Sequence, residues 1–272
     1  MLSNSLPVIT LYSPGQIVFH IGLWPVRWYG IFIAIAFLIV YIICESVVKK
    51  NKLNLDYFND LIFYVLISSI VFARLYFVFL SHDYFKYHID EIPKIWLGGQ
   101  SIHGAIFGAI FITYICSKIK KISFYQYMDI LACFVPLGQA IGRWGNFFNN
   151  EAFGKPFIFG MVRVFIPAEF RPTQFASIEY FHPTFLYESF LDFMIFVFLS
   201  RNYQNWKEQK GKCFWGYLIG YSFIRFFLEF LRTDSLFLFA NLPAAQIISL
   251  IIFLISFFML MKINAGQNSS RV

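Results

Sequence analysis

ILACFVPLGQAIGRWGNFFNNEAFG, residues 130–154, changes character at its midpoint. Residues 130–141 are apolar enough to sit in lipid, whereas residues 142–154 carry Arg143, Asn146, Asn149, Asn150 and Glu151 among Gly142, Gly145 and Gly154. An arginine, three asparagines and a glutamate therefore stand where an apolar span meets water. Charge at that depth is costly unless it is paired or holds an anion. The glycines predict a tight turn that brings backbone N–H groups close to a ligand. This chemistry points to anion binding at a membrane surface, where phospholipid phosphate is the most abundant anion.

Working outward, the composition agrees with a lipid environment. The 272 residues are 58% hydrophobic and 14% charged, with 37 Phe and 16 Tyr. A soluble domain carries about 25% charged residues. We therefore expect an all-α polytopic membrane protein. The formal net charge of +7 is scattered over short loops rather than gathered in one stripe, which argues against nucleic acid and for an anionic bilayer surface. Cys44, Cys116, Cys133 and Cys213 lie in or beside apolar segments. They form no Cys-x-x-Cys pair, so neither a zinc site nor a disulfide framework is indicated. Residues 1–24 lack a basic n-region and are interrupted by prolines, so no cleavable signal peptide is expected.

Windows of about 20 apolar residues mark spanning helices. They fall at residues 28–48, 61–80, 101–118, 125–142, 183–199, 214–230 and 243–261, which predicts seven spans. Lysine and arginine clusters follow the first, third, fifth and seventh spans, at Lys49–Lys52, Lys118–Lys121, Arg201–Lys212 and Lys262. With alternating helices all four lie on one side, and that side is cytoplasmic by the positive-inside rule. The N-terminus, residues 81–100, 143–182 and 232–242 then face outward, and the C-terminus faces the cytoplasm. The chain reads as a single integral-membrane domain over 1–272, with residues 143–182 as a small extracytoplasmic head. Within that head residues 157–167 alternate like short strands or a hairpin.

A second polar set stands on the sixth span, at Tyr221, Arg225, Glu229 and Arg232. Spacings of four, four and three put them within an arc of roughly 80°. Arg225 and Glu229 can pair as i,i+4 neighbours. Two readings stay open: a structural ion pair that locks a helix bundle, or a stripe that offers cations to a phosphate. Two arginines with one carboxylate leave a positive excess that favours the second. His103, in Gly98–Ala105, is either a hydrogen-bonded helix-end residue or a base that takes a proton from a thiol or hydroxyl. Arg74, mid-span, has a carboxylate partner such as Glu188 or Asp192, or a lipid phosphate. Arg27, Trp28 and Tyr29 form an interfacial anchor by default, with the Tyr29 hydroxyl available to a cavity.

These motifs, in this order, resemble the bacterial prolipoprotein diacylglyceryl transferases. Residues 142–154 fill every fixed position of the pattern G-R-x-G-N-F-x-N-x-E-x-x-G. Further matches are Arg27-Trp28-Tyr29-Gly30, Ser101–Gly104, His182-Pro183-Thr184, Tyr187-Glu188 and the Tyr221–Arg232 stripe. The chain departs from the family in Ala105 after Gly104 and in Phe72-Ala73 before Arg74, where glycines are common. The resemblance implies transfer of the diacylglyceryl group of phosphatidylglycerol to the lipobox cysteine thiol in the signal peptide of a prolipoprotein. A thioether forms and glycerol 1-phosphate leaves, in the bacterial inner (cytoplasmic) membrane. It also implies catalytic roles for His103, Arg143, Glu151, Arg225 and Glu229. Substrate contacts are implied for Tyr29, Asn146, Arg143, Arg225, Tyr221 and Arg232. No metal or organic cofactor is called for.

Two other classes remain at this stage. A transporter or channel for an anionic solute would use intramembrane arginines equally well. A phosphatidyl alcohol transferase would show a paired-aspartate metal motif, whereas Asp129 and Asp192 stand apart in sequence.

Overall fold

A computed structural model describes residues 8–233 and 242–269. Most of the expected outward segment at 232–242, and the start of the N-terminal stretch, lie outside these. The protein is mostly helical, and its contacts gather into two compact units: Glu45–Met128, and Met1–Cys44 together with Asp129–Val272.

In the unit Glu45–Met128, α2 (Leu55–Leu80) begins six residues before the apolar window at 61–80. Asn54 caps it, accepting the Tyr57 N–H at 2.8 Å, and Tyr57 and Phe58 are buried against the Tyr127 ring. Asn59 and Asp60 lowered the hydropathy there, and the local cap outweighed it. α4 (Ile102–Lys120) packs on α2 through Gly104 and Gly108. A Cβ on Gly104 would stand 2.6 Å from Tyr76 Cβ, and one on Gly108 would stand 2.7 Å from Phe72 Cβ. The Ser68 hydroxyl donates to the Gly108 carbonyl at 2.9 Å. Small residues one turn apart let two helices approach in lipid, where no hydrophobic force drives them together.

Between α2 and α4 lie the short helix α3 (His82–Phe85) and two 3-10 turns, Ile89–Glu91 and Ile95–Leu97. Arg74 holds this segment. Its Nε donates to Ile92 O at 2.9 Å, Nη1 to Gly98 O at 2.6 Å and Gly99 O at 3.1 Å, and Nη2 to Glu91 O at 2.6 Å. The expectation of a carboxylate partner or a lipid phosphate is corrected: the guanidinium is engaged by four backbone carbonyls of the following loop. Helical and loop carbonyls left unpaired in an apolar region are costly, and one fork-shaped cation satisfies several at once.

In the other unit, strands β1 (Ile9–Tyr12), β2 (Ile17–Ile21) and β3 (Trp24–Arg27) precede α1 (Trp28–Lys50). β2 and β3 form an antiparallel ribbon. α5 (Phe124–Asn149) is followed by β4 (Val162–Phe165) and β5 (Tyr180–Phe181). β4 pairs with β5 antiparallel and with β1 parallel, giving the order β1-β4-β5. The strand expected within 157–167 is present, but its partners come from the N-terminal segment and residues 180–181 rather than from a local hairpin. Phe147, Phe153, Val164, Ile166, Phe181 and Phe185 form the buried core beneath this sheet.

α6 (Thr184–Trp206) starts after Pro183, which has no N–H to lose at a helix start, and runs seven residues past 199. α7 (Lys212–Leu228) ends in a 3-10 turn, Glu229–Leu231, and α8 (Ala244–Ser269) packs along α7. Asp129 of α5 joins α7 at its start, accepting the N–H groups of Gly211 at 2.6 Å and Phe214 at 2.8 Å. Among the described residues, four helices are long and apolar enough to cross a membrane: Trp28–Lys50, Leu55–Leu80, Ile102–Lys120 and Ala244–Gly266. α5, α6 and α7 fall outside that set, and they carry most of the charged residues described next.

Candidate active site

α5 does not stop at residue 142. Gly142 and Gly145 are helical, and their N–H groups belong to the helix, so the predicted glycine turn is corrected. The turn comes at Asn150 and Ala152, with φ of 54° and 53°. Asn150 N–H donates to Phe147 O at 3.1 Å, and Glu151 N–H donates to Asn146 O at 3.0 Å. This is the paired bonding of a Schellman terminus, with asparagine in the left-handed position usually held by glycine. Gly145 serves close approach: a Cβ there would lie 2.8 Å from Tyr29 Cδ2 and 3.2 Å from Tyr29 Cα. Tyr29, in the first turn of α1, is thereby pressed against the helix that carries Arg143 and Asn146.

The turn folds Glu151 back over the end of α5. Its Oε1 accepts Asn146 Nδ2 at 2.8 Å and Asn149 Nδ2 at 3.3 Å. Two of the three asparagines thus orient one carboxylate. The N-terminal segment closes the remaining carbonyls of α5: Ser13 Oγ donates to Phe148 O at 3.1 Å and Gln16 Nε2 to Asn149 O at 3.3 Å. Trp28 stacks on Phe148 with ring centroids 4.7 Å apart.

Arg143 does not stand alone. Its Nη2 donates to Glu188 Oε1 of α6. Glu188 Oε2 lies 3.9 Å from Arg232 Nη1, Arg232 Nε lies 4.0 Å from Glu229 Oε2, and Glu229 Oε2 lies 2.8 Å from Arg225 Nη2. Five side chains from α5, α6 and the end of α7 therefore alternate in sign in one continuous chain, Arg143–Glu188–Arg232–Glu229–Arg225. The carboxylates are sealed, with Glu188 1% and Glu229 2% exposed, while Arg143 and Arg225 remain 23% and 20% exposed. A guanidinium has five N–H donors, more than the carboxylate contacts described for Arg143 and Arg225 use. Tyr221 lies in the field of Glu188, Arg143 and Arg225, and Tyr29 lies in that of Glu151 and Arg143.

Backbone bonds tie the two sequence motifs together. Gly154 forms an isolated antiparallel bridge with Arg232, Lys155 N–H donates to Leu231 O at 2.6 Å, and Gly154 N–H donates to His182 O at 2.8 Å. A Cβ on Gly154 would meet Leu231 O at 2.9 Å and Thr184 Cγ2 at 2.8 Å. The last glycine of the 142–154 stretch thus admits the strand that delivers Arg232. Thr184 Oγ1 donates to Ala152 O at 2.6 Å and Ser189 Oγ to Ala140 O at 2.7 Å, fixing α6 against the same turn and against α5.

His182, in the His-Pro-Thr motif, is 4% exposed. Its Nδ1 lies 3.3 Å from the Tyr187 hydroxyl, and its ring sits beside Phe157 and Phe159. Burial pushes its pKa below the ordinary 6.5, as expected when protonation would place a charge among aromatic rings.

Arg143, Asn146, Glu151, Tyr29, Tyr221, Arg225, Glu229 and Arg232 are all brought into one unit. His103 belongs to the other unit, in the first turn of α4, exposed and with its ring 6.3 Å from that of Tyr76. Two sequence expectations change. Arg232 lies past the helix rather than on it, and the stripe is not a set of its own but part of a chain of three arginines and two carboxylates. Glu188, which the sequence offered only to Arg74, is the link between the motifs. Its sequence signals were a carboxylate inside an apolar span and the Tyr187-Glu188 match.

Comparison with known proteins is consistent with this geometry. The sequence model of the prolipoprotein diacylglyceryl transferase family matches residues 16–262. Among similar proteins, one from Thermotoga maritima is 40% identical over 259 residues, covering 94% of this chain and 87% of its own length. One from Trichormus variabilis is 43% identical over 252 residues, covering 90% and 89%. One from Staphylococcus epidermidis is 42% identical over 249 residues, covering 91% and 88%. Each of the three is named phosphatidylglycerol–prolipoprotein diacylglyceryl transferase.

Proposed function

The chain belongs to the prolipoprotein diacylglyceryl transferase family, and from that premise we propose that its alternating ion chain holds the phosphate of phosphatidylglycerol during diacylglyceryl transfer. The protein is a membrane transferase of lipoprotein maturation. It moves the diacylglyceryl group of phosphatidylglycerol to a prolipoprotein. The acceptor is the lipobox cysteine in the signal peptide. Its thiolate sulfur attacks the glycerol carbon that bears the phosphate ester, the C–O bond breaks, and the electron pair leaves with glycerol 1-phosphate. A thioether remains on the peptide.

Charge builds on the departing phosphate oxygens, so fixed cations there lower the barrier more than they stabilise bound lipid. Arg143 and Arg225 are suited to this because planar guanidinium matches phosphate with two parallel bonds. The observation that carries the reading is that both pair with sealed carboxylates while they themselves remain 23% and 20% exposed. Glu188 and Glu229 position the arginines. Asn146 and Glu151 orient the headgroup, and Tyr29, Tyr221 and Arg232 line its approach. His103 takes the thiol proton, which a free cysteine with a pKa of about 8.5 holds at neutral pH.

The chain acts as one integral-membrane domain with seven spans. α5, α6 and α7 join the four apolar helices, residues 143–182 form a periplasmic head, and the C-terminus is cytoplasmic. Three observations support this: the basic clusters of one sign bias, the polar residues of α5–α7 turned onto each other, and the sheet-capped core at residues 147–185. Membership of a transferase family gives no support to solute transport.

The test incubates purified protein with phosphatidylglycerol and a lipobox peptide, with mass spectrometry reading the diacylglyceryl adduct. Adduct is expected with the cysteine peptide and not with its Cys→Ser form. Folded protein that yields no adduct overturns the assignment. Separately, near-full turnover by His103→Gln would remove only the role given to His103.

A further inference from the structure

β2 and β3 stand ahead of α1 as a two-stranded ribbon joined by Gly22-Leu23. Gly22 has φ of 59°, the positive value that the first position of a tight hairpin turn takes. Residues 17–26 read IVFHIGLWPV and contain no Asp, Glu, Lys or Arg. Phe19 is 50% exposed, Ile21 65%, Leu23 96% and Trp24 72%. Among the described residues no further strand pairs with either edge of the ribbon. A lone two-stranded ribbon is marginal in water, and contiguous exposed apolar surface marks a surface that meets a partner or a membrane. The root of the ribbon, by contrast, is fixed. Gln16 O accepts the Trp28 N–H at 3.0 Å, Gln16 Nε2 donates to Asn149 O at 3.3 Å, and Trp28 stacks on Phe148.

We infer that the ribbon tip, residues 19–24, is sunk into the lipid leaflet at which α1 begins, and that it fixes the depth of the headgroup site. Three observations select lipid as the occupant. The first is continuity. β3 ends at Arg27 and α1, long and apolar enough to cross a membrane, begins at Trp28 with no linker. At about 3.3 Å per residue the turn at Leu23 stands at most roughly 17 Å from the first residue of α1. The second is that the ribbon is uncovered all round. Side chains alternate between faces along a strand, and the cross-strand pairs Ile21–Trp24 and His20–Pro25 are both exposed. A docked peptide would add to one edge or cover one face, whereas lipid surrounds. The third sets the depth. The outer edges carry unpaired backbone groups, which hydrocarbon does not tolerate, so the tip stays at the level of headgroups and upper acyl chain, where Trp is favoured. Because the root is bonded to the end of α5, the depth of the tip sets the depth of Asn146 and Glu151.

The consequence for catalysis rests on the reading of that site as the phosphatidylglycerol site, and the test separates the two. Full-length protein with Leu23→Cys in a Cys-free background is labelled with an environment-sensitive fluorophore. It is then reconstituted into vesicles of phosphatidylglycerol and phosphatidylethanolamine. Quenching is read with nitroxide lipids labelled near the headgroup or near the chain end, and with iodide in the water. Strong quenching by the shallow nitroxide, weaker quenching by the deep one and shielding from iodide are expected. Free access of iodide with no quenching by lipid overturns the inference. Shielding from iodide without quenching by either lipid also overturns it, because a second copy or a peptide would then cover the tip. In a second arm, Leu23→Ser combined with Trp24→Ser is assayed for transfer. A several-fold rise in KM for phosphatidylglycerol in vesicles is expected, with kcat and KM unchanged for short-chain phosphatidylglycerol in detergent. An unchanged KM in vesicles overturns the positioning role. Absence of adduct from the wild-type protein in both media would instead overturn the transferase reading, whatever the fluorophore reports.

Discussion

Glu188 shows how much a single side chain decides here. It is sealed from solvent and faces Arg143 on one oxygen and Arg232 on the other. Removing one partner of such a pair leaves an uncompensated buried charge, which costs about 3–5 kcal/mol. Arg143→Ala is therefore expected to lower thermal stability in detergent by that order as well as to abolish transfer. Arg143→Met combined with Glu188→Gln is expected to regain much of the stability and none of the activity. Recovery of activity in the double variant would mean that the pair is structural alone. Arg143→Lys keeps the charge but loses the fork geometry, and we expect at least a tenfold fall in turnover with little change in melting temperature. His182 supplies the pH dependence. Its folded-state pKa lies below the ordinary 6.5, so the unfolded chain binds the proton more readily and stability falls as pH drops through and below that value. A His182→Gln variant should show a shallower acid-side loss in melting temperature between pH 7 and 5; an unchanged slope would contradict the assignment.

At the scale of the element, ends of helices matter more than their middles. Asp129 accepts two N–H groups at the start of α7 from another helix, a cap supplied by tertiary contact rather than by sequence neighbours. Asp129→Ala is expected to cost about 1–2 kcal/mol of stability, read by thermal unfolding, and a neutral effect would show that the cap carries no weight. Helix interiors were legible in the sequence because lipid-facing residues are apolar all round, as on α1, α2, α4 and α8. Helix ends were less so. α2 starts early because Asn54 caps a polar first turn. α5 continues through Gly142 and Gly145, and Gly145 admits Tyr29 rather than turning the chain. The left-handed turn falls on Asn150 and Ala152, positions that no glycine rule selects. β1 was illegible for a different reason: its partner, β4, is some 150 residues away in sequence (Ile9 faces Val162), and neither local pattern names the other.

For the molecule as a whole, the residues that carry charge within the apolar helices were found from sequence, but their connectivity was not. The pattern named Arg143, Arg225, Glu229 and Arg232, and offered Glu188 only as one of several partners for Arg74. The structure joins the first four through Glu188 and assigns Arg74 to loop carbonyls. Pairing between helices depends on rotation and depth, which a single sequence does not encode. The proposed topology is checked by cysteine substitutions in a Cys-free background labelled in intact cells. Ile158→Cys in the head is expected to react with an impermeant maleimide, and Lys207→Cys between α6 and α7 is expected to be protected until the cells are opened. The reverse pattern would invert the orientation.

The central claim is that Arg143 and Arg225 serve one headgroup through one connected set of charges. A double-mutant cycle on transfer by Arg143→Lys, Arg225→Lys and the pair tests it most directly, with adduct formation measured at saturating peptide. Groups that act as a unit are far from additive, so the pair is expected to lose little more activity than the worse single variant. Losses that multiply, as for two independent sites, would contradict the account.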